Sequence, residues 1–302
     1  MSPALYEYLA SVVPKENILE NEPMSRHTTF KVGGDAACFV RIEANDQLAA
    51  IIKYLNLVGR EYFILGNGSN LLVGDKGYRG VVLDTTGMNK ITVEENKITA
   101  QAGALLPVIA REAYQNGLTG LEFASGIPGT IGGGVIMNAG AYDGEMKQVV
   151  KNVTVFSKEG ETLVFDNETM KFSYRSSSVK GTPFVVAEVE MQLQKGDMEQ
   201  IKAKMDDFTA RRREKQPLSY ASAGSTFKRP EGYFAGKLIM DAGMRGYRIG
   251  GAQVSEKHCG FLINDGTACA ADIRELIEEV AERVKARFGV QLEPEIIMLG
   301  DF

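Results

Sequence analysis

Six glycines fall within the fifteen positions from Gly126 to Gly140, beside Pro128 and with no Lys or Arg among them. Glycine at this density points to main-chain chemistry, because it permits positive φ and lets another group approach the backbone closely. Successive N–H groups can then converge into a concave anion site of the kind that holds a pyrophosphate. A second loop, Gly66-Asn67-Gly68-Ser69-Asn70, follows the strand-like Tyr62 to Leu65. Neither loop is a common nucleotide motif. Leu71 to Val73 and Val81 to Leu83 read as strands where a Rossmann unit needs a helix, and a Walker loop would need the absent Gly-Lys-Ser/Thr. Two cradles in one chain point to a dinucleotide seat, with tight turns in an α+β core as the plain alternative.

Side-chain chemistry has three candidate places. Tyr174-Arg175 lies in a turn-like stretch before a strand, Gly224-Ser225 follows the exit marked by Pro217, and Glu295 precedes a terminal strand. Each has an ordinary reading when taken singly: a solvated charge, a turn residue and a strand-edge charge. The basic run Arg211-Arg212-Arg213-Glu214-Lys215 ends an expected helix, where cations favour the C-terminal dipole.

The elements that must position these residues form three regions with no flexible linker or internal repeat. In the first, apolar periodicity predicts a helix over 46–58, with short strands near 37–42, 62–65 and 81–83. The second opens with a hairpin, 91–93 and 97–100, and continues through a helix near 105–115, the long glycine loop and strands at 153–157, 162–165 and 184–193. A helix over 198–213, apolar at 198, 201, 205 and 208, leads out of it. In the last region Ile273, Leu276, Ile277, Val280, Ala281, Val284 and Phe288 repeat at helical spacing before Gly289, a C-terminal stop.

Composition bounds what such a chain can be. Its 302 residues are 44% hydrophobic and 24% charged, enough for a substantial core in two or three domains. A net charge of −5 with dispersed basic residues argues against an extended nucleic-acid surface. Three cysteines without Cys-x-x-Cys spacing argue against a disulfide framework or structural zinc, so no metal is expected and a reducing cytoplasm fits. No apolar run approaches the ~20 residues that span a bilayer, and the N-terminus lacks a basic segment followed by an apolar one. Neither a membrane nor a nucleic acid is an expected partner, and the oligomeric state is left unassigned.

Taken together, these segments carry a resemblance. The ordered set Gly66-Asn-Gly-Ser-Asn70, Gly126-Ile-Pro-Gly-Thr-Ile-Gly-Gly133, Asn138-Ala-Gly-Ala-Tyr142, Tyr174-Arg175, Lys215-x-Pro217, Ala223-Gly-Ser225-x-Phe227, Ile249-Gly-Gly-Ala252 and Leu292-Glu-Pro-Glu295 resembles the UDP-N-acetylenolpyruvoylglucosamine reductases, also called UDP-N-acetylmuramate dehydrogenases. The likeness runs from about Thr28 to Gly300. The compact stretch from Arg175 to Phe184 resembles the shorter, second type of the family, which lacks an inserted substrate-clamping loop. Tyr233 and Phe234 are then candidates to close over the sugar nucleotide.

The resemblance implies an α+β fold, with a two-part FAD-binding domain of the PCMH/vanillyl-alcohol-oxidase type followed by a smaller α+β substrate-binding domain. The spans it suggests are 1–85 and 86–210 for the two FAD-binding subdomains and 211–302 for the substrate-binding domain. It implies FAD as cofactor and NADPH as reductant. FAD would be held by Gly66, Asn67, Gly68, Ser69, Asn70, Leu71, Gly126, Ile127, Pro128, Gly129, Thr130, Gly132, Gly133 and Gly140, with Arg211 on the flavin side. Tyr174, Lys215 and Arg229 would bind the UDP-sugar, Lys215 at its diphosphate; some members carry a neutral Asn where Arg229 stands. Arg175, Ser225 and Glu295 would be catalytic. Reduction of an enolpyruvyl ether pushes negative charge toward its carboxylate, which a guanidinium fork holds well, and a hydroxyl proton can quench it. Glu295 would act protonated, since a second bare carboxylate would repel the intermediate. Another FAD oxidase of the same superfamily, with flavin tethered through His27 or His258, and a noncatalytic nucleotide-sugar sensor remain the alternatives.

Overall fold

The computed structural model describes residues 1–302, and the chain falls into two units, each assembled from separated stretches. The first holds Met1–Glu20, Cys38–Asn67 and Gly80–Arg211; the second holds Asn21–Ala37, Gly68–Arg79 and Arg212–Phe302. The contiguous spans 1–85, 86–210 and 211–302 cut the chain differently. Residues 21–37 and 68–79 lie inside the first of those spans yet belong to the unit that contains 212–302.

In the first unit, α1 (Pro3–Val12) starts at Ser2, whose side chain accepts from Leu5 N, with Pro3 in the first turn. That position needs no N–H partner, so the proline is tolerated. α2 (Asn45–Leu57) buries Leu48, Ile51, Ile52 and Leu55, and this stripe packs with Leu9, Cys38, Val40, Ile42, Val81 and Leu83. Tyr62–Leu65 runs parallel to its neighbour, Tyr62 opposite Val81 and Leu65 opposite Asp84. A five-stranded antiparallel sheet follows, in the order Thr162–Asp166, Val150–Phe156, Val185–Gln192, Lys97–Gln101, Ile91–Glu94. Against it lie α3 (Leu106–Gln115), which buries Leu106, Ile109, Ala110 and Ala113, and the six-residue α4 (Ile131–Ile136).

α5 (Met198–Lys215) is the helix expected over 198–213, two residues longer. Its apolar positions do not form one buried stripe. Only Ile201 is buried, Met198 is exposed, Met205 packs partly on the core, and Phe208 stacks on Tyr142 with ring centroids 4.4 Å apart.

The second unit is built around α7 (Ala270–Phe288), on which Ile273, Leu276, Ile277, Val280 and Val284 form the buried face and Gly289 closes the end at φ 70°. Phe288, read as part of that face, is more than a third exposed at the frayed last turn. The sequence pattern did not indicate α6 (Ala235–Asp241) or the antiparallel sheet Arg248–Ile249, Ala252–Val254, Leu262–Asn264. These elements are too short to show a period. Leu71–Val73 pairs in parallel with Ile297–Leu299. Asp75 accepts from Ala270 N at 2.8 Å and Ala271 N at 2.9 Å, so a carboxylate from a distant loop caps the N-terminus of α7.

Candidate active site

In the first unit the two glycine loops meet. A Cβ on Gly66 would lie 2.4 Å from Thr130 Oγ1, and Asn67 Nδ2 donates to Pro128 O at 2.6 Å. The long loop is pinned from below, where Leu106 N donates to Gly129 O at 2.9 Å, Ile131 N to Ala104 O at 2.8 Å and Gly132 N to Ala102 O at 2.9 Å. Side chains at Gly132 and Gly134 would come within 3.0 Å of Ala102 and 3.1 Å of Leu106 respectively. Those two glycines therefore serve close packing, while positive φ is used at Gly68 (60°) and at Asn138 (42°). Thr130 caps α4 by accepting from Gly133 N. No turn or loop hydrogen bond takes its donor from the amides of Asn67, Gly129 or Thr130. A cradle of main-chain donors joined at Gly66 and Thr130, with glycine where a Cβ would fill it, fits a dinucleotide pyrophosphate.

Arg175 lies in the same unit, at the tip of a two-residue turn. Ser173 N donates to Ser176 O at 3.0 Å and Ser176 N to Ser173 O at 3.2 Å. Arg175 has φ 54°, the left-handed conformation that glycine usually supplies at this place in a turn. Its Nη2 donates to Gly140 O at 3.5 Å, its guanidinium sits 5.3 Å from the Tyr174 ring centroid, and Lys180 Nζ donates to its carbonyl at 3.0 Å. Gly140 and Tyr174 are thereby gathered around Arg175. Arg211 stands with Tyr142 instead, 6.0 Å above its ring, and pairs with Asp207 at 2.7 Å.

The second unit gathers Ser225 and Glu295. Glu295 N donates to Thr226 O at 2.8 Å, Lys228 N to Glu293 O at 2.9 Å, and Phe227 bridges Pro294, so the two segments run side by side in opposite directions. Ser225 is exposed and bridges Phe261 on its other side; Glu295 is half-buried. Asn70 Nδ2 donates to Glu295 O at 3.1 Å and Asn70 O accepts from Ile297 N at 3.0 Å. The end of the short glycine loop is thus bonded to the segment that carries Glu295. Leu71, named with the cofactor residues, is buried in the strand opposite Ile297. Gly68 could carry no side chain, since a Cβ would lie 2.0 Å from His27 O. Its neighbour Ser69 is half-buried.

Lys215 is exposed at the end of α5. Arg229 lies 3.9 Å over the Phe234 ring and donates from Nε to Tyr233 O at 3.3 Å, which draws the two proposed closing aromatics and Arg229 into one exposed turn. His258 is a neighbour the sequence did not single out for this region. Its Nδ1 accepts from Gly260 N at 3.1 Å, which leaves the proton on Nε2, and its ring lies 5.0 Å from that of Phe261, the residue paired with Ser225. Burial pushes its pKa down. No local motif announces a histidine placed by a turn thirty-odd residues after Ser225.

A family model described as UDP-N-acetylenolpyruvoylglucosamine reductase, C-terminal domain, matches residues 216–299, and one described as FAD binding domain matches 36–166. The chain is 50% identical over 301 residues to UDP-N-acetylenolpyruvoylglucosamine reductase of Caldanaerobacter subterraneus subsp. tengcongensis, with 100% of both chains covered. It is 48% identical over 298 residues to the protein of that name from Clostridioides difficile, with 98% of both covered. Among solved structures it is similar to UDP-N-acetylenolpyruvylglucosamine reductase from Thermus caldophilus, with 34% identity and a TM-score of 0.80 over 94% of this chain and 98% of that one. Phl p 4.0202, a glucose dehydrogenase, matches at 12% identity and a TM-score of 0.52 over 65% of this chain and 44% of that one, a likeness of fold alone.

Proposed function

This chain belongs to the UDP-N-acetylenolpyruvoylglucosamine reductase family, and from that premise we propose how its own residues carry out the family's reaction. The reaction is the NADPH-dependent reduction of UDP-N-acetylglucosamine enolpyruvate to UDP-N-acetylmuramate in peptidoglycan precursor synthesis, on an α+β fold with an FAD-binding domain. FAD, when bound, supplies the electron pair that NADPH provides. The main-chain N–H groups of Asn67, Gly129 and Thr130 hold its pyrophosphate, and Gly66, Gly126, Ile127, Pro128, Gly132, Gly133 and Gly140 shape the loops around it.

Arg175 holds the substrate carboxylate through its guanidinium fork and stabilises the negative charge that develops there. Ser225 donates its hydroxyl proton to the adjacent carbon. Glu295, protonated, hydrogen-bonds the reacting group without adding charge. Lys215 takes the diphosphate, Tyr174 and Arg229 bind the UDP-sugar, and Tyr233 and Phe234 cover the sugar nucleotide. Arg211 supports the flavin side through Tyr142. What supports this reading most is the main-chain bond from Glu295 N to Thr226 O at 2.8 Å, because it brings the segment that carries Glu295 alongside the segment that carries Ser225.

No helix is long and apolar enough to cross a membrane. We place the activity in the cytoplasm, where the nucleotide-sugar precursors of the cell wall are made, so that it serves cell shape and division. The test is anaerobic mixing of purified protein with NADPH and then the enolpyruvyl sugar nucleotide. Flavin absorbance bleaches and returns if the reading holds; bleaching that reverses only with oxygen identifies an oxidase instead. Flavin that remains with the denatured polypeptide would likewise favour the tethered enzymes. Against a tether, His27 Nε2 lies 2.9 Å from Glu22 and His258 Nδ1 accepts from Gly260 N.

A further inference from the structure

We propose that Asn138 is a positioning residue for Arg175, its side-chain amide holding the turn that aims the guanidinium. The proposal rests on the reading of Arg175 as the group that grips the substrate carboxylate. Asn138 is 1% exposed and its three side-chain bonds run in three directions. Nδ2 donates to Glu145 Oε2 at 3.0 Å and to Ser173 O at 3.1 Å, while Oδ1 accepts from Lys147 N at 2.9 Å. Rotating the amide would set its oxygen against two acceptors and its nitrogen against an N–H, so the orientation is fixed by its surroundings. Its φ of 42° suits Asn, which tolerates the left-handed region better than most side chains.

The bond to Ser173 reaches the base of the turn that carries Arg175. Ser173 O already accepts from Ser176 N, and the Asn138 amide uses its second lone pair. Two further ties flank it, from Ser177 Oγ to Ile136 O at 2.9 Å and from Arg175 Nη2 to Gly140 O at 3.5 Å. The five residues Ile136 to Gly140 therefore hold the turn before, at and after Arg175. A non-glycine residue at φ 54° is disfavoured by about 1 to 2 kcal/mol, and such a conformation persists where neighbouring bonds over-determine it. Of the three ties, the one from Asn138 also anchors to Glu145 and Lys147. Its side-chain bonds all go to Glu145, Lys147 and Ser173, so its effect on the reaction passes through the Arg175 turn.

The test is a paired exchange, Asn138→Asp with Glu145→Gln. Net charge is unchanged, the amide introduced at position 145 can donate to the carboxylate introduced at position 138, and Lys147 N keeps its acceptor; donation to Ser173 O is what disappears. The FAD-loaded protein is reduced by NADPH and then mixed with the enolpyruvyl substrate, in the wild-type background and with Arg175→Lys. We expect unchanged flavin content and reduction by NADPH. Reoxidation by substrate should slow about 10²-fold, the scale for a reacting group displaced by ~1 Å. Added to Arg175→Lys, the exchange should cost little more, because both act on one interaction. Independent losses that multiply, an unchanged reoxidation rate, or equal slowing of both half-reactions or loss of flavin would each overturn the proposal; the last would make Asn138 a support of the cradle. If Arg175→Lys alone reoxidises at the wild-type rate, the reading of Arg175 fails and the proposal falls with it. A defective Arg175→Lys beside a normal exchange variant removes the positioning role alone.

Discussion

The Arg175 turn and the Ser225–Glu295 segments are held by different means. Ser225 and Glu295 sit on neighbouring extended segments joined by main-chain bonds, Glu295 N to Thr226 O and Lys228 N to Glu293 O. That frame is made of main-chain atoms, which every residue but proline supplies in full. Arg175 occupies a left-handed turn closed by the main-chain pair Ser173–Ser176 and tied down further by the side chains of Asn138 and Ser177. A ladder places a group through atoms every residue has, whereas a clamp depends on particular residues that a single substitution removes. Changes at Ser225 or Glu295 should therefore report on chemistry alone, and changes around Arg175 on geometry as well.

The largest effect is expected where the two cradle loops meet. Gly66→Val sets a side chain where a Cβ is already 2.4 Å from Thr130 Oγ1, so the loops must part and the purified protein should be colourless, with no recovery on adding FAD. Yellow protein with wild-type flavin content would show that the contact is dispensable. Next comes Ser225→Ala, which leaves the ladder intact. Reduction by NADPH should stay near normal while reoxidation by substrate falls by about 10² to 10⁴-fold, or about 3 to 5 kcal/mol of barrier. A loss confined to reduction by NADPH would assign the proton to another group.

Arg175→Lys keeps the charge and removes the fork. Turnover should fall about 10²-fold with FAD content unchanged, in keeping with loss of a preorganised charge donor. Equal activity of the Lys variant would erase the distinction between clamp and ladder.

The smallest effect concerns pH. Burial lowers the His258 pKa in the folded protein, so as pH falls through the ordinary histidine range near 6.5 the unfolded chain takes up a proton that the folded one does not. This residue's contribution to stability is complete above that range and declines below it until the folded pKa is passed. His258→Gln should flatten the slope of Tm between about pH 5 and 7. A slope identical to wild type would locate the titration elsewhere.

The long periodic helices and the two glycine loops were readable from the residues alone. α2, α3, α5 and α7 lie within a few residues of where apolar spacing put them, and Tyr62–Leu65 has the expected bounds. Helical periodicity and glycine density are local properties that need no knowledge of partners. The family resemblance, carried by short ordered motifs, was legible for the same reason. Contacts formed only on folding settled that residues 21–37 and 68–79 join the unit of 212–302, that Asn70 binds the segment of Glu295 across 225 positions, and that Arg175 takes φ 54°. A turn with a serine on either side of Tyr174-Arg175 gives no sign of a left-handed arginine. Such conformations and pairings are stabilised by groups far away in the chain, and the energy that selects them exists only once those groups have been brought together.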